Sequence, residues 1–288
     1  MTEITTRIWS RILEAGRPAL LGLLVLLTAP AGAVPARALE KGEFDPAVWN
    51  ALLKQFVSAD GVDYAAWKAH GTGELDAFLD AAGRYDLKSI LGKDPKAGFL
   101  INAYNAWAVR QILTHYPVAS VKEIPGFFDR NTVRVAGTER TLDDLAAALV
   151  KLFPTDPQVV FAPAPGVRGF PELAPTAYTG ENLKARLEQA AQRYLVERSL
   201  LTVDRKAGLL LVPIVITRHL DYFNRQEGGI EHVLSRWMSL ANIMYVSKNH
   251  PELRERETDW SLNEASAQSN PPRKTDDPTT KTAPEGGW

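Results

Sequence analysis

The stretch from Ala97 to Tyr116, AGFLINAYNAWAVRQILTHY, is apolar on nearly every side. A surface helix carries one apolar stripe, whereas a helix that is apolar all round has to be buried. The rest of the chain must therefore wrap around this helix, which Pro117 ends. Two amides interrupt it. Asn102 and Asn105 stand three apart, so they occupy neighbouring positions of one helix face, with Tyr104 and Trp107 alongside. A buried amide is costly unless it is hydrogen-bonded. Each asparagine must hold a loop, a strand edge or a ligand.

Shorter elements flank this helix. Residues 46–57 have helical apolar spacing, with Asp45 as N-cap before Pro46. Gly61 to Tyr64 reads as a turn or short extended piece. Glu74 to Ala82 reads as a helix stopped by Gly83. Thr132 to Ala136 reads as a strand, Gly137-Thr138 as a turn, and Thr141-Leu-Asp-Asp144 as a capping box that opens a helix to Phe153. Gln158 to Ala162 reads as a short strand, followed by a Pro- and Gly-rich loop from Pro163 to Pro175. Thr179 caps an amphipathic helix with Leu183, Leu187, Ala190, Tyr194 and Leu195 on one side. Leu200–Val203 and Leu209–Val212 form a hairpin, and a last helix spans about Ile230 to Val246. Helices dominate and strands are few. The expected fold is α+β, a mainly helical single domain packed on a small, mostly antiparallel sheet.

The two ends differ from this middle. Arg7, Arg11 and Arg17 precede an apolar run from Ala19 to Leu27 and the small residues Ala31-Gly32-Ala33 and Ala36-Arg37-Ala38. These are the three parts of a secretory signal, with cleavage after Ala33 or Ala38. The apolar run is too short for a bilayer, which takes about 20 residues, so no membrane anchor is expected after cleavage. The tail after Leu262 is polar and Pro-rich and reads as disordered. The expected organisation is a signal peptide over 1–38, one globular domain over 39–263 and a tail over 264–288. A periplasmic or secreted location follows.

Composition excludes several chemistries. There are 0 cysteines, so a thiol nucleophile, a Cys-rich zinc site, an iron–sulfur cluster and a lipid-modified cysteine anchor all fall away. The formal net charge is −1 without clustered Lys or Arg, which argues against a nucleic-acid partner. The motifs for a nucleophile elbow, a phosphate loop, a dinucleotide site and an H-E-x-x-H zinc site are all missing, and no cofactor is expected. No two of the 5 histidines stand three or four apart, so no helical metal site is expected. His115 ends a helix, where a cation suits the dipole. His219 and Asp221 would share a side only on a strand. Asp143 and Asp144 read as N-terminal capping carboxylates rather than an acid/base pair.

The Pro163–Pro175 loop is the other candidate region. It carries Arg168, able to grip a carboxylate or phosphate with two prongs, and Glu172. A solvated surface arginine is the alternative reading for Arg168.

These pieces resemble the domain-of-unknown-function family numbered 547. The resemblance rests on Gly61–Ala66, on FLINAYNAWAVRQILTHYPVASVKEI (Phe99–Ile124), and on Val133–Leu145 with its TLDD turn. It extends to Thr176–Leu195 and Asp259–Asn263. It implies a Glu-His pair after the Leu-Asp-Asp turn and two cysteines in the following loop, hence thiol chemistry with an imidazole base. This chain has Ala146 and Ala147 in place of Glu-His, with Pro165 and Phe170 in place of the cysteines. The expected function is then a non-catalytic relative that binds a small ligand or an envelope protein. Its ligand-binding residues would be Asn102, Tyr104, Asn105, Arg168 and Glu172, with no catalytic residue. The alternative is an envelope hydrolase using Glu172 or Asp143 beside Arg168. A purely structural envelope protein is the third reading, and it predicts no pocket behind the Pro163–Pro175 loop.

Overall fold

The computed structural model describes residues 44–265. The export signal expected over 1–38, and all but the first two residues of the tail, lie outside them. The apolar stretch forms a 23-residue helix, α4 (Lys93–His115), with Ala97 through Ala106 buried without a break. His115 ends it with Nδ1 2.9 Å from the Gln111 carbonyl, consistent with a role at the helix terminus. The expectation of a central, buried helix is met.

Of three shorter helices, α2 (Tyr64–His70) and α3 (Thr72–Arg84) pack on α4, and α1 (Ala47–Phe56) packs on α2 and α3. Trp49, Trp67, Phe56 and Phe78 pack ring on ring between them, with centroids 5.1–5.7 Å apart. Such aromatic pairs add about 0.5–1.5 kcal/mol each beyond area burial. Between α1 and α2 lies a two-stranded hairpin, β1 (Val57–Ser58) with β2 (Gly61–Val62). Helix α3 runs through Gly83 instead of stopping there. A Cβ at Gly83 would sit 3.0 Å from the Arg134 carbonyl oxygen, so this glycine serves close approach rather than termination.

That neighbour belongs to the hairpin of β3 (Val133–Val135) and β4 (Thr138–Arg140). Its two-residue turn, Ala136-Gly137, has φ of 51° and 77°, the backbone that matches strand twist. The turn's N–H groups donate to the carbonyls of Ala82 and Gly83 in the last turn of α3. Helix α5 (Leu142–Leu152) follows with the expected capping box between Thr141 and Asp144.

The segment expected as a strand over 158–162 is instead a 3-10 turn, Pro157–Phe161. Pro157 stands at its first positions, and the Asp156 side chain accepts from the Gln158 N–H. Those are helix-opening signals, and they override the β-branched composition.

The Pro- and Gly-rich loop leads to α6 (Leu183–Gln192), continued by one wide turn over Arg193–Glu197. Thr179 and Asn182 bond each other's backbone N–H one turn ahead of that helix. A three-stranded sheet follows. In it β5 (Thr202–Asp204) pairs antiparallel with β6 (Leu209–Val212), and β6 pairs parallel with β7 (Glu252–Glu255). Between β6 and β7 come α7 (Ile214–Arg218), α8 (Leu220–Asn224), α9 (Gly229–Ser235) and α10 (Leu240–Asn249). The last helix expected over 230–246 is thus two helices. Ser239 caps the second by accepting from the Asn242 N–H, and buried Trp237 anchors the break.

The fold is α+β and mainly helical, as expected. Its strands, however, form three small sheets rather than one. The chain's last described stretch ties two loops and β2 together. Ser261 bridges to Ser120, Leu262 to Val167 and Glu264 to Val62. Buried Tyr64 donates to Asn263 Oδ1 at 2.7 Å. Backbone pairing persists to Ala265, whose N–H donates to the Val62 carbonyl. Among the described residues no helix is long and apolar enough to cross a membrane.

Gly98 marks where the long loop crosses α4. A Cβ there would meet the Tyr178 carbonyl oxygen at 3.1 Å, whereas one at Gly73 of α3 meets nothing within 4 Å. Helical Gly→Ala ordinarily stabilises by about 0.5–1 kcal/mol. Gly73→Ala should show that gain in urea unfolding. Gly98→Ala should reverse the sign and lose about 1–3 kcal/mol, because the opposing backbone cannot retreat. A gain at Gly98 would mean that the loop yields.

Candidate functional site

The two asparagines of α4 explain why the loop cannot retreat. Asn102 Nδ2 donates to the Tyr178 carbonyl at 2.7 Å, and its Oδ1 accepts from the Tyr178 N–H at 3.0 Å. Asn105 repeats the device: Oδ1 accepts from the Ala164 N–H at 2.8 Å, and Nδ2 donates to the Ala162 carbonyl at 3.4 Å. Each amide acts as a strand edge would, offering one donor and one acceptor to a passing backbone. With Gly98 they form one stripe of α4 that receives the segment from Ala162 to Tyr178. Of the roles left open by the sequence, Asn102 and Asn105 take the loop-holding one. Both polar atoms of each amide are engaged with this backbone.

Tyr104 points elsewhere. It is buried at 5% exposure and lines a cleft of about 750 Å³. The cleft lies between α4, α5, the 3-10 turn and the α7–α8 junction. Its apolar wall includes Val150, Val159, Val160 and Val215. Ala146, Ala147 and Phe170 line it too, so the cleft opens where the family resemblance implies Glu-His and one cysteine. Pro165 is buried in the loop.

The polar groups of this cleft have altered acidities. The Tyr104 hydroxyl makes no hydrogen bond with any described residue. Burial pushes its pKa well up, Asp143 adds to the rise, and Arg218 opposes it. Asp143 stands in the first turn of α5, and desolvation raises its carboxyl above the usual carboxylate range despite Arg218 nearby. His219 sits where α7 ends and α8 begins. Burial lowers its pKa, against the opposing pull of its bond to Val215. Its Nδ1 lies 2.9 Å from the Val215 carbonyl, an acceptor, so the proton of the neutral ring is on Nδ1 and Nε2 keeps its lone pair. The cleft thus presents a neutral phenol, a neutral imidazole and a weakened acid beside an arginine.

Arg168 and Glu172 belong to a second cleft, of about 370 Å³, lined also by Arg198, Arg256 and Asp259. Arg168 Nη2 donates to the Glu264 carbonyl at 3.1 Å. Glu172 faces Arg193 at 3.7 Å and Arg198 at 3.8 Å, rather than Arg168. The five residues singled out from the sequence therefore do not form one site. Two clamp the loop, Tyr104 lines the large cleft, and Arg168 and Glu172 line the small one. Sequence reasoning missed Arg218 and gave His219 little weight. Their one local signal is the Arg-His-x-Asp run directly after the apolar Ile214–Ile216. Among the described residues, no group of three or more His, Asp or Glu comes together in a way that could hold a metal ion.

In class, this is a mainly helical α+β domain whose central helix contributes Tyr104 to an open, mixed-polarity cleft. The model of the family described as "Protein of unknown function, DUF547" matches residues 89–195. That segment of the chain is similar to this family, in line with the resemblance of its sequence. No curated protein and no solved structure matches the chain. The matched segment supplies Tyr104, Asp143, Ala146, Ala147 and Phe170, whereas Arg218 and His219 lie beyond it.

His219 generates a pH dependence with a definite sign. Its folded pKa lies below the ordinary 6.5, so below that value the unfolded chain takes up a proton that the folded chain resists. Its contribution is complete above pH 6.5 and is lost as the pH falls through the lower folded value. Urea unfolding between pH 7 and 5 should show stability falling with pH, with a shallower fall in His219→Gln. Equal slopes for the two proteins would contradict the burial of a neutral ring.

Proposed function

We propose that the chain is exported to the cell envelope, as a periplasmic or secreted protein, and there binds a small ligand in the large cleft without transforming it. The carrying observation is the cleft itself. It opens where Ala146, Ala147 and Phe170 stand in place of the reactive residues implied by the family resemblance. The chain has 0 cysteines, so the thiol step is missing altogether. What remains is a largely apolar pocket with a few convergent polar groups, the usual form of a small-molecule site. The leader pattern of three arginines, an apolar run and small residues supports export. Clefts on both sides of the Pro163–Pro175 loop speak against a purely structural role.

One observation favours a second reading, a hydrolase. Neutral His219, with Nε2 unprotonated, stands near Asp143 and Arg218, which is a usable base and an anion partner. This differs from the pairings considered from the sequence: Asp143 and Arg168 line different clefts, and Glu172, which shares the smaller cleft with Arg168, faces Arg193 and Arg198 instead.

The test combines binding and turnover on the full chain. A small-molecule extract of the cell envelope should raise its melting temperature, and Ala147→Trp, which fills the cleft, should abolish the shift. Ester, amide and glycoside panels should show no steady turnover. Turnover lost in both His219→Ala and Asp143→Ala would overturn the non-catalytic reading in favour of the hydrolase. In the exporting cell, N-terminal sequencing should give Val34 or Leu39 as the first residue. An intact Met1 in the membrane fraction would contradict export.

A further inference from the structure

Arg218 has an unusual situation for a cleft arginine. Its Cζ lies 4.8 Å from the Phe128 ring centroid, 5.4 Å from that of Phe170 and 6.0 Å from that of Trp260. The rings support one another, Phe128 against Phe170 at 6.2 Å and Phe170 against Trp260 at 5.5 Å. Yet the guanidinium makes no hydrogen bond or ion pair with any described residue. The contrast with the second cleft is plain, where Arg168, Arg198 and Arg256 all donate to backbone carbonyls. An arginine stacked on aromatic faces is held in orientation while its N–H edge stays free. That edge matches a planar carboxylate with two parallel hydrogen bonds.

The surroundings narrow the choice of anion. The charged residues lining the cleft are Lys151, Arg218 and Arg225 against Asp143 and Asp221, an excess of one positive charge. A single negative charge completes that balance. A phosphate dianion would instead be repelled by the two carboxylates. The same cleft is lined by Tyr104, whose hydroxyl feels the charge of Arg218 and is an unspent donor. Beyond it runs the apolar wall of Val150, Val159 and Val160.

Resting on the reading of the large cleft as a ligand site, we propose that Arg218, seated on Phe128, Phe170 and Trp260, is the receptor for a ligand carboxylate. The ligand is an amphipathic monocarboxylate whose apolar body lies along Val150, Val159 and Val160. Tyr104 donates a further hydrogen bond to the same head group.

Calorimetric titration of the full chain with octanoate, 1-octanol and octyl phosphate tests this. Octanoate should bind about tenfold or more tightly than octanol, as expected for hydrogen bonds between charged groups. Arg218→Gln should bring octanoate down to the level of octanol and leave octanol binding unchanged, which also shows that the variant is folded. Arg218→Lys, which keeps the charge but not the fork, should recover only part of the loss. Octanol binding as tightly as octanoate, octyl phosphate binding tighter than octanoate, or an unchanged octanoate affinity in Arg218→Gln would each overturn the carboxylate receptor. Octanol binding that Ala147→Trp removes would still leave the ligand-site reading standing. If neither octanol nor octanoate binds, both fall.

Discussion

Two side-chain amides on the central helix, each closing a pair of hydrogen bonds on a passing backbone, hold the rest of the site in place. A backbone segment that enters a core must find partners for its N–H and C=O groups, and each one left bare costs about 1–3 kcal/mol. The segment from Ala162 to Val167 is buried and belongs to no strand, so no sheet neighbour can supply them. Asn105 supplies them at Ala162 and Ala164, and Asn102 does the same at Tyr178. The last described stretch of chain adds bonds from the other side, at Gly166 and Arg168. Phe170, carried on this fixed loop, then becomes part of the platform under Arg218. The cleft wall therefore follows from amides more than 60 residues away in sequence from one of the groups they position.

Much of this was legible in the residues. An all-round apolar helix had to be central, and two buried amides on it had to hold something. The Thr141–Asp144 box and the hairpin around Gly208 follow local rules and formed as read. Misreadings arose where local signals compete. Around residues 157–161, Pro157 and the Asp156 cap outweighed a β-branched run. At Gly83, a glycine read as a helix stop serves the approach of Arg134 instead. The site was harder to read, because Tyr104, Asp143 and Arg218 come from three separate elements, and only tertiary packing joins them. Arg168 looked free in the sequence. Its tie to Glu264 depends on the chain's return path, which no local pattern reveals.

The chemistry of the cleft is consistent across its walls. Burial keeps Tyr104 protonated and His219 neutral and makes Asp143 a weaker acid. A pocket of that kind is suited to gripping one anionic end of a mostly apolar molecule. The small side chains of Ala146 and Ala147 line the cleft. The stretch that the family model matches ends at residue 195, while Arg218 and His219 come from the following helices. The residues after the matched stretch thus complete a cleft that the matched stretch begins.

The central claim is that the loop is pinned by α4, so that the cleft exists before any ligand arrives. Native-state hydrogen exchange of the backbone amides of Ala164 and Tyr178 tests it most directly. The account predicts that both exchange only on global unfolding, with the same free energy as the core amides of α4. Exchange of either amide through a local opening, at a much smaller free energy, would show that the loop comes free in the native state and that the cleft wall is not preformed.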